Sequence, residues 1–324
     1  MMQANPDWTE DTHLKIAVKT LVLVLLIALL AVLVPSPAPT MAEGLPSVLP
    51  AYQPVALEGI VEPIAYGEAT PFAPNKSAYL PDRAGYRDDT LSVRIETMRA
   101  YDTTIQLTWV QIASPTQLRT ELCKPYPSRA TARADVIAKR VKAVLAINGD
   151  YFTHRKEGYI IRNGVTLRER ADAQYDALII DDNGDLTILP KADQKAIESF
   201  PGKIIHAFAF GPGLVIDGEQ QSDFTLRENA PDKRTQRIAL AQMDKLSYLI
   251  VATEGPENKN SKGLTMDQFA TLLHALHVKQ AYNLDGGSSS SVVLDGKKIN
   301  SLSTHKIRAI GDILYFVTGE GTSK

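Results

Sequence analysis

The run Ala281-Tyr282-Asn283-Leu284-Asp285-Gly286-Gly287-Ser288-Ser289-Ser290-Ser291 decides how this chain is read. A short apolar stretch stops abruptly in a polar turn that carries two glycines. A strand end holds its side chains rigidly, and adjacent glycines let a ligand approach the backbone. Two other places share the design. Ala143 to Ile147 runs into Asn148-Gly149-Asp150, and Leu246 to Ala252 runs into Thr253-Glu254-Gly255.

Further outward, Leu91, Val93 and Ile95 alternate with polar residues, as do Ile105, Leu107 and Trp109, which predicts strands. Ala177 to Ile180 and Leu186 to Leu189 flank Asp181-Asp182-Asn183-Gly184-Asp185, a hairpin turn by composition. That acidic loop also suggests calcium, but its glycine is misplaced for an EF-hand loop and Ala192 stands where the glutamate belongs. Further strands are expected at Ile204 to Phe210, Leu214 to Ile216, Val292 to Leu294, Lys298-Ile299 and Ile307 to Val317. Arg237 to Gln242 and Leu246 to Ala252 form a hairpin turning at Asp244-Lys245. Helices are expected at Ser128 to Val141 and Met266 to His277. The second carries a capping box, Thr265 with Gln268, and an apolar stripe of Phe269, Leu272, Leu273 and Leu276. His274 and His277 share it, but with no third ligand nearby they read as a solvated flank. The pattern is α+β: mixed, mostly antiparallel sheets with a few helices in a single globular domain.

The N-terminus differs. Leu21 to Val34 is fourteen consecutive apolar residues after Lys15 and Lys19. It reads as a signal peptide cleaved near Thr40-Met41-Ala42, or as an uncleaved signal anchor spanning from Ile16. Either places the rest of the chain outside the cytoplasm. Ten of the nineteen prolines lie between Pro35 and Pro81, which predicts an extended linker. The expected organisation is 1–42 cytoplasmic stub and membrane segment, 43–88 linker, and 89–320 globular domain.

Composition excludes some functions. With 44% hydrophobic and 22% charged residues the chain is an ordinary globular protein. A net charge of −2 without a basic block gives nucleic acid no surface to bind. Cys123 is alone, so no disulfide staples the chain, and it reads as a small buried side chain rather than a nucleophile. There is no Walker loop, dinucleotide fingerprint or Gly-x-Ser-x-Gly elbow. No cofactor and no metal are expected.

The three turns offer the carboxylates Asp150, Glu254 and Asp285, and glycosyl transfer to water needs one or two carboxylates beside the anomeric carbon. Asn148 and Asn283 can read sugar hydroxyls. Lys233-Arg234-Thr235-Gln236-Arg237 would suit an anionic group, since guanidinium binds phosphate bidentately.

Asn283-Leu284-Asp285-Gly286-Gly287-Ser288-Ser289-Ser290 resembles the signature of the phosphodiester glycosidase family. Four more segments follow that family's order: Ala146 to Phe152, Phe210 to Val215 with Asp217-Gly218, Arg234-Thr235, and Gly263-Leu264-Thr265. The N-terminal 90 residues lie outside the resemblance, and Ser288 directly follows the glycine pair where the family often has another glycine. The resemblance implies a hydrolase acting on the glycosidic bond of a sugar-1-phosphodiester, such as an N-acetylglucosamine-1-phosphodiester, on an extracytoplasmic glycan or envelope polymer. It implies Asp285 at the anomeric centre as general base or nucleophile, with Asp150 or Glu254 as second carboxylate. Arg234 and Thr235 would bind the phosphodiester. Asn148 and Asn283 would orient the sugar, and Gly286, Gly287 and Ser288 would meet it through the backbone. The other reading is a non-catalytic envelope glycopolymer-binding module on a membrane stalk. A phosphodiesterase cleaving P–O bonds is a weaker third, since such enzymes usually need a metal cluster.

Overall fold

The computed structural model describes residues 43–59, 61, 65–66, 72–225, 230–300 and 307–319. The expected membrane segment and cleavage site lie outside them. Among the described residues no helix is long and apolar enough to cross a membrane.

Three sheets build the fold. The largest has eight strands: β1 (Gly85–Arg87), β2 (Leu91–Ala100), β3 (Thr103–Ile112), β11 (Gly213–Ile216), β12 (Glu219–Gln220), β13 (Ile238–Asp244), β14 (Ser247–Thr253) and β15 (Gln280–Asn283). Their spatial order is β1-β2-β3-β14-β13-β15-β11-β12. A five-stranded sheet holds β6 (Ile160–Arg162), β7 (Val165–Arg168), β8 (Ala177–Asp181), β9 (Leu186–Leu189) and β10 (Ile204–Phe208). A second five-stranded sheet holds β4 (Leu118–Leu122), β5 (Leu145–Asn148), β16 (Val292–Leu294), β17 (Lys297–Lys298) and β18 (Asp312–Phe316). The named strands pair antiparallel throughout.

The central strands of the large sheet read as unbroken apolar runs because both their faces are covered. On β13, Ile238 and Leu240 enter the core shared with the five-stranded sheets, while Ala239, Ala241 and Met243 enter the opposite core. On β14, Tyr248, Ile250 and Ala252 face the first core, and Leu249 and Val251 the second. The second core is closed by α3 (Met266–Ala275), which buries Phe269, Leu272 and Leu273. Its capping box forms as expected, Thr265 Oγ1 accepting from Gln268 N at 3.2 Å and Gln268 Oε1 from Thr265 N at 3.1 Å. Among the described residues two further helices, α1 (Ala134–Arg140) and α2 (Gln194–Glu198), each cover one five-stranded sheet.

Several expected boundaries shift. The first helix begins at Ala134, because Ala132 instead exchanges backbone bonds with Ile310 at 3.0 and 2.8 Å. The β13–β14 hairpin turns at Lys245-Leu246, with Asp244 and Ser247 paired across it. The acidic loop is a turn: Asp181 Oδ1 accepts from Asn183 N and Asp185 N, both at 2.9 Å. The segment expected as a linker packs where it is described. Leu45, Leu49 and Tyr52 lie against the second core, Tyr52 donates to Ser247 Oγ at 2.8 Å, and Tyr86 is wholly buried in the first core. The packed body therefore starts before Asp89.

Candidate active site

The three glycine-bearing turns converge at the strand ends. Asn148, at the end of β5, is fully buried. Its Nδ2 donates to the Asp285 carbonyl at 2.8 Å and to the Gly149 carbonyl at 3.1 Å, while its Oδ1 accepts from Ser291 N at 3.0 Å. Asn148 thus clamps the first turn to both ends of the serine loop. The Gln236 carbonyl ties in the rest. It accepts from Gly287 N at 2.9 Å, and it lies 2.6 Å from where a Cβ on Gly286 would sit. A Cβ on Gly255 would also press on Gln236, at 3.2 Å from its Cβ. Gly287 has φ +56° with open space before it, so the backbone there is bare toward a ligand.

Asp285 stands in this junction, 8% exposed. Burial pushes its carboxyl above the usual carboxylate range. Ser289, Arg308 and Arg155 pull it back down, and the Asp150 charge adds to the rise. One guanidinium stands beside it, and a second acts on it from farther away. Arg308 Nη1 lies 3.6 Å from Asp285 Oδ2, its side chain about half exposed, and its backbone N donates to the Ser288 carbonyl at 3.0 Å. Arg155 is packed on the rings of Tyr175 at 4.1 Å and Phe210 at 4.9 Å, and its Nη1 donates to the Ala209 carbonyl at 3.0 Å. Tyr151 sits between the two, 6.0 Å from Arg155 and 5.8 Å from Arg308, and stacks on His154 with centroids 4.3 Å apart.

The other expected carboxylates are committed elsewhere. Asp150 Oδ1 accepts from Phe152 N at 3.0 Å, and its Oδ2 accepts from Arg162 Nη2 at 3.1 Å and Ala209 N at 3.3 Å. Arg162 is fully enclosed, its Nε also donating to Asp312 Oδ2 at 2.8 Å. Two carboxylates share one buried guanidinium, and burial drives Asp312 upward. Asp150 therefore braces the turn from behind. Glu254 lines a cavity of about 310 Å3 with Thr104, Gln106 and Asn300. Its Oε2 accepts from Asn258 Nδ2 at 2.7 Å and Ser261 Oγ at 2.6 Å.

Arg234, expected as a phosphate ligand, is held by two backbone carbonyls. Its Nε donates to the Gly263 carbonyl at 2.9 Å and its Nη2 to the Tyr101 carbonyl. Thr235 exchanges backbone bonds with Leu264. Both tie the loop before β13 to the start of α3. Asn283 is buried, donates from Nδ2 to the Gly211 carbonyl at 2.8 Å, and its Oδ1 has no partner among the described residues. Gly287 N is already spent on Gln236, so it does not serve as a ligand donor. Ser288 is half-buried.

Sequence reasoning missed Arg155, Arg308 and Tyr151. Tyr151 follows Asn148-Gly149-Asp150 directly and Arg155 lies four residues further on, and that proximity was the available signal. Arg308 is separated from Asp285 by two strands, and only their pairing brings it back. Among the described residues no group of three His, Cys, Asp or Glu is placed to hold a metal ion.

The sequence model of the phosphodiester glycosidase family matches residues 141–317. That stretch contains both Asn148 and Asp285. A curated relative, the SPbeta prophage-derived uncharacterized protein YomE of Bacillus subtilis (strain 168), is 27% identical over 183 residues, covering 55% of this chain and 28% of its own length. The chain thus spans under a third of that relative. The fold is similar to the catalytic domain of zebrafish N-acetylglucosamine-1-phosphodiester α-N-acetylglucosaminidase auto-inhibited by its pro-peptide, with a TM-score of 0.57, 19% identity, and coverage of 76% of this chain and 86% of that one. A hypothetical protein from Synechocystis is also similar, with a TM-score of 0.50, 16% identity, and coverage of 70% and 62%.

Proposed function

The chain belongs to the phosphodiester glycosidase family, and on that premise we propose that it hydrolyses the glycosidic bond of a sugar-1-phosphodiester on an extracytoplasmic glycan. The observation that carries this reading is Asp285: a carboxylate at a strand end, in the junction of the glycine-bearing turns, with the Arg308 guanidinium 3.6 Å away. A phosphodiester carries one negative charge beside the anomeric carbon. Arg155 and Arg308 hold that charge, and Asp285 faces the carbon as base or nucleophile. A phosphomonoester leaves readily once its charge is met by guanidinium, so a second carboxylic acid at the leaving oxygen is dispensable. This accounts for a site in which Asp150 and Glu254 are engaged elsewhere. Water adds its oxygen to the anomeric carbon, the carbon–oxygen bond to phosphate breaks, and free sugar and a phosphomonoester result. Tyr151 offers the sugar or the aglycone a ring face beside both arginines.

The extracytoplasmic address and the membrane tether rest on the apolar run at 21–34, with lysines before it. N-acetylglucosamine as the sugar is proposed from the zebrafish enzyme's name, since the fold likeness carries no substrate by itself.

The test is hydrolysis of a panel of sugar-1-phosphodiesters in H2(18)O. Label on the released sugar is expected. Label on phosphate would make the protein a P–O phosphodiesterase, and binding without turnover would make it a glycopolymer-binding module. Asp285→Asn is expected to lower kcat by at least about 100-fold with the fold intact. Unchanged turnover would remove Asp285 from the mechanism.

A further inference from the structure

Between β5 and β6 the chain runs from Gly149 to Tyr159 with one short turn of its own, the 3-10 stretch Phe152–His154. This loop carries Tyr151 and Arg155. Backbone carbonyls outside regular structure need donors from elsewhere, and here one side chain supplies several. Arg168, the last residue of β7, reaches into the loop with its guanidinium. Its Nε donates to the Gly158 carbonyl at 2.8 Å, Nη1 to the Arg155 carbonyl at 2.9 Å, and Nη2 to the Glu157 carbonyl at 2.6 Å. Nη1 also lies 3.5 Å from the Phe152 carbonyl.

The surroundings fix this arrangement at both ends. Arg168 pairs with Ile160 across the β6–β7 hairpin, so its backbone is tied to a sheet. Gly158 has φ +102°, and a Cβ there would press on the Ala209 Cβ at 3.0 Å. Glycine at that position lets the loop close on Ala209. The Ala209 carbonyl in turn accepts from Arg155 Nη1 at 3.0 Å. Arg155 is thus held twice, by Arg168 at its backbone and by Ala209 at its guanidinium.

We infer that Arg168 is a positioning residue for the proposed phosphodiester site: its guanidinium shapes the 152–158 loop so that Arg155 and Tyr151 join Arg308 in one cluster, and it acts through them. Tyr151 lies 6.0 Å from Arg155 and 5.8 Å from Arg308, so a shift of the loop breaks that cluster. The rigid fork matters more than the charge. A lysine offers one nitrogen on a flexible stem where Arg168 uses three in a fixed plane. The effect of Arg168 on rate rests on the proposed hydrolysis, whereas its effect on the loop does not, so the two are read separately.

The experiment compares Arg168→Lys, Arg155→Ala and the double variant in the full-length protein. Amide hydrogen exchange is expected to quicken at least about ten-fold across 152–158 in Arg168→Lys, while β13 and β14 stay protected. With the sugar-1-phosphodiester that the wild type turns over, kcat/KM should fall at least about ten-fold in each single variant. The double variant should fall no further than the lower of the two, since both act through one guanidinium. The Asp285 inflection in the pH profile should move up in both single variants, because Arg155 no longer pulls it down. A strut that only supports the fold would leave that inflection in place and add its loss to that of Arg155→Ala. Unchanged exchange in the loop overturns the inference whether or not any substrate is turned over, and additive losses or full kcat/KM in Arg168→Lys overturn it as well. Quickened exchange in a protein whose wild type turns over no phosphodiester would uphold the hold of Arg168 on the loop and remove the proposed hydrolysis.

Discussion

At the scale of single residues, burial and partners separate side chains that look alike in sequence. Asp150 and Asp285 both precede or follow a glycine at a strand end, yet Asp150 gives both its oxygens to Arg162 and backbone amides, while Asp285 has only the looser Arg308 contact at 3.6 Å. Asp150→Asn keeps Arg162 paired with Asp312 but replaces one acceptor oxygen by an amide donor facing the Arg162 guanidinium or a backbone N–H, so it is expected to cost about 1–3 kcal/mol, measured by urea unfolding. Arg234 and Arg308 diverge in the same way. Arg308→Ala should lower kcat/KM by roughly 10–100-fold with stability unchanged, whereas Arg234→Ala should lose about 1–3 kcal/mol of stability and leave kcat/KM nearly intact. The reverse pattern would restore Arg234 as the phosphate ligand. The raised ionisation of Asp285 also fixes a pH profile. If its carboxylate is the working form, kcat/KM rises with pH through an inflection above the ordinary aspartate range. A rate that falls with pH through that inflection would make Asp285 an acid.

At the scale of elements, the serine loop depends on two close approaches. A methyl on Gly286 would sit 2.6 Å from the Gln236 carbonyl, so Gly286→Ala must move backbone against backbone. A methyl on Gly287 meets nothing and carries only the strain of a left-handed residue, about 1 kcal/mol. Activity assays are expected to rank Gly286→Ala far below Gly287→Ala. Equal activities would mean that the loop yields freely. The turns and helices most visible in the sequence carried their own local chemistry, as Thr265 and Gln268 do in closing a capping box within four residues. The first helix was misplaced at its start because its limit is set by Ala132 pairing with Ile310, far along the chain.

Across the whole molecule, one buried histidine links stability to pH. His206 is enclosed between β10 and the first residues of β4, accepting at Nδ1 from Asn163 N at 3.2 Å. Burial, then repulsion from Arg162 and Arg119, lowers its pKa to about 3, against a weak opposing bond to the Leu118 carbonyl. The unfolded chain takes up a proton near the ordinary histidine value and the folded chain does not. His206 thus contributes stability above about 6.5 that is lost as pH falls toward 3, by up to about 1.4 kcal/mol per pH unit. Unfolding curves of the wild type and His206→Gln should converge as pH falls through that window. Parallel curves would show that another group governs the acid limb.

The sequence by itself determined the strand-rich α+β pattern, the capped helix before β15 and the family. These rest on signals that neighbours along the chain supply: alternation, caps, and glycines next to a strand end. Only the tertiary structure decided which carboxylates give their oxygens to neighbours, that Arg308 stands beside Asp285, and that the proline-rich segment packs on the domain where it is described. Those outcomes follow from desolvation and from partners brought together by sheet pairing, and a linear sequence carries no record of either until the strands meet.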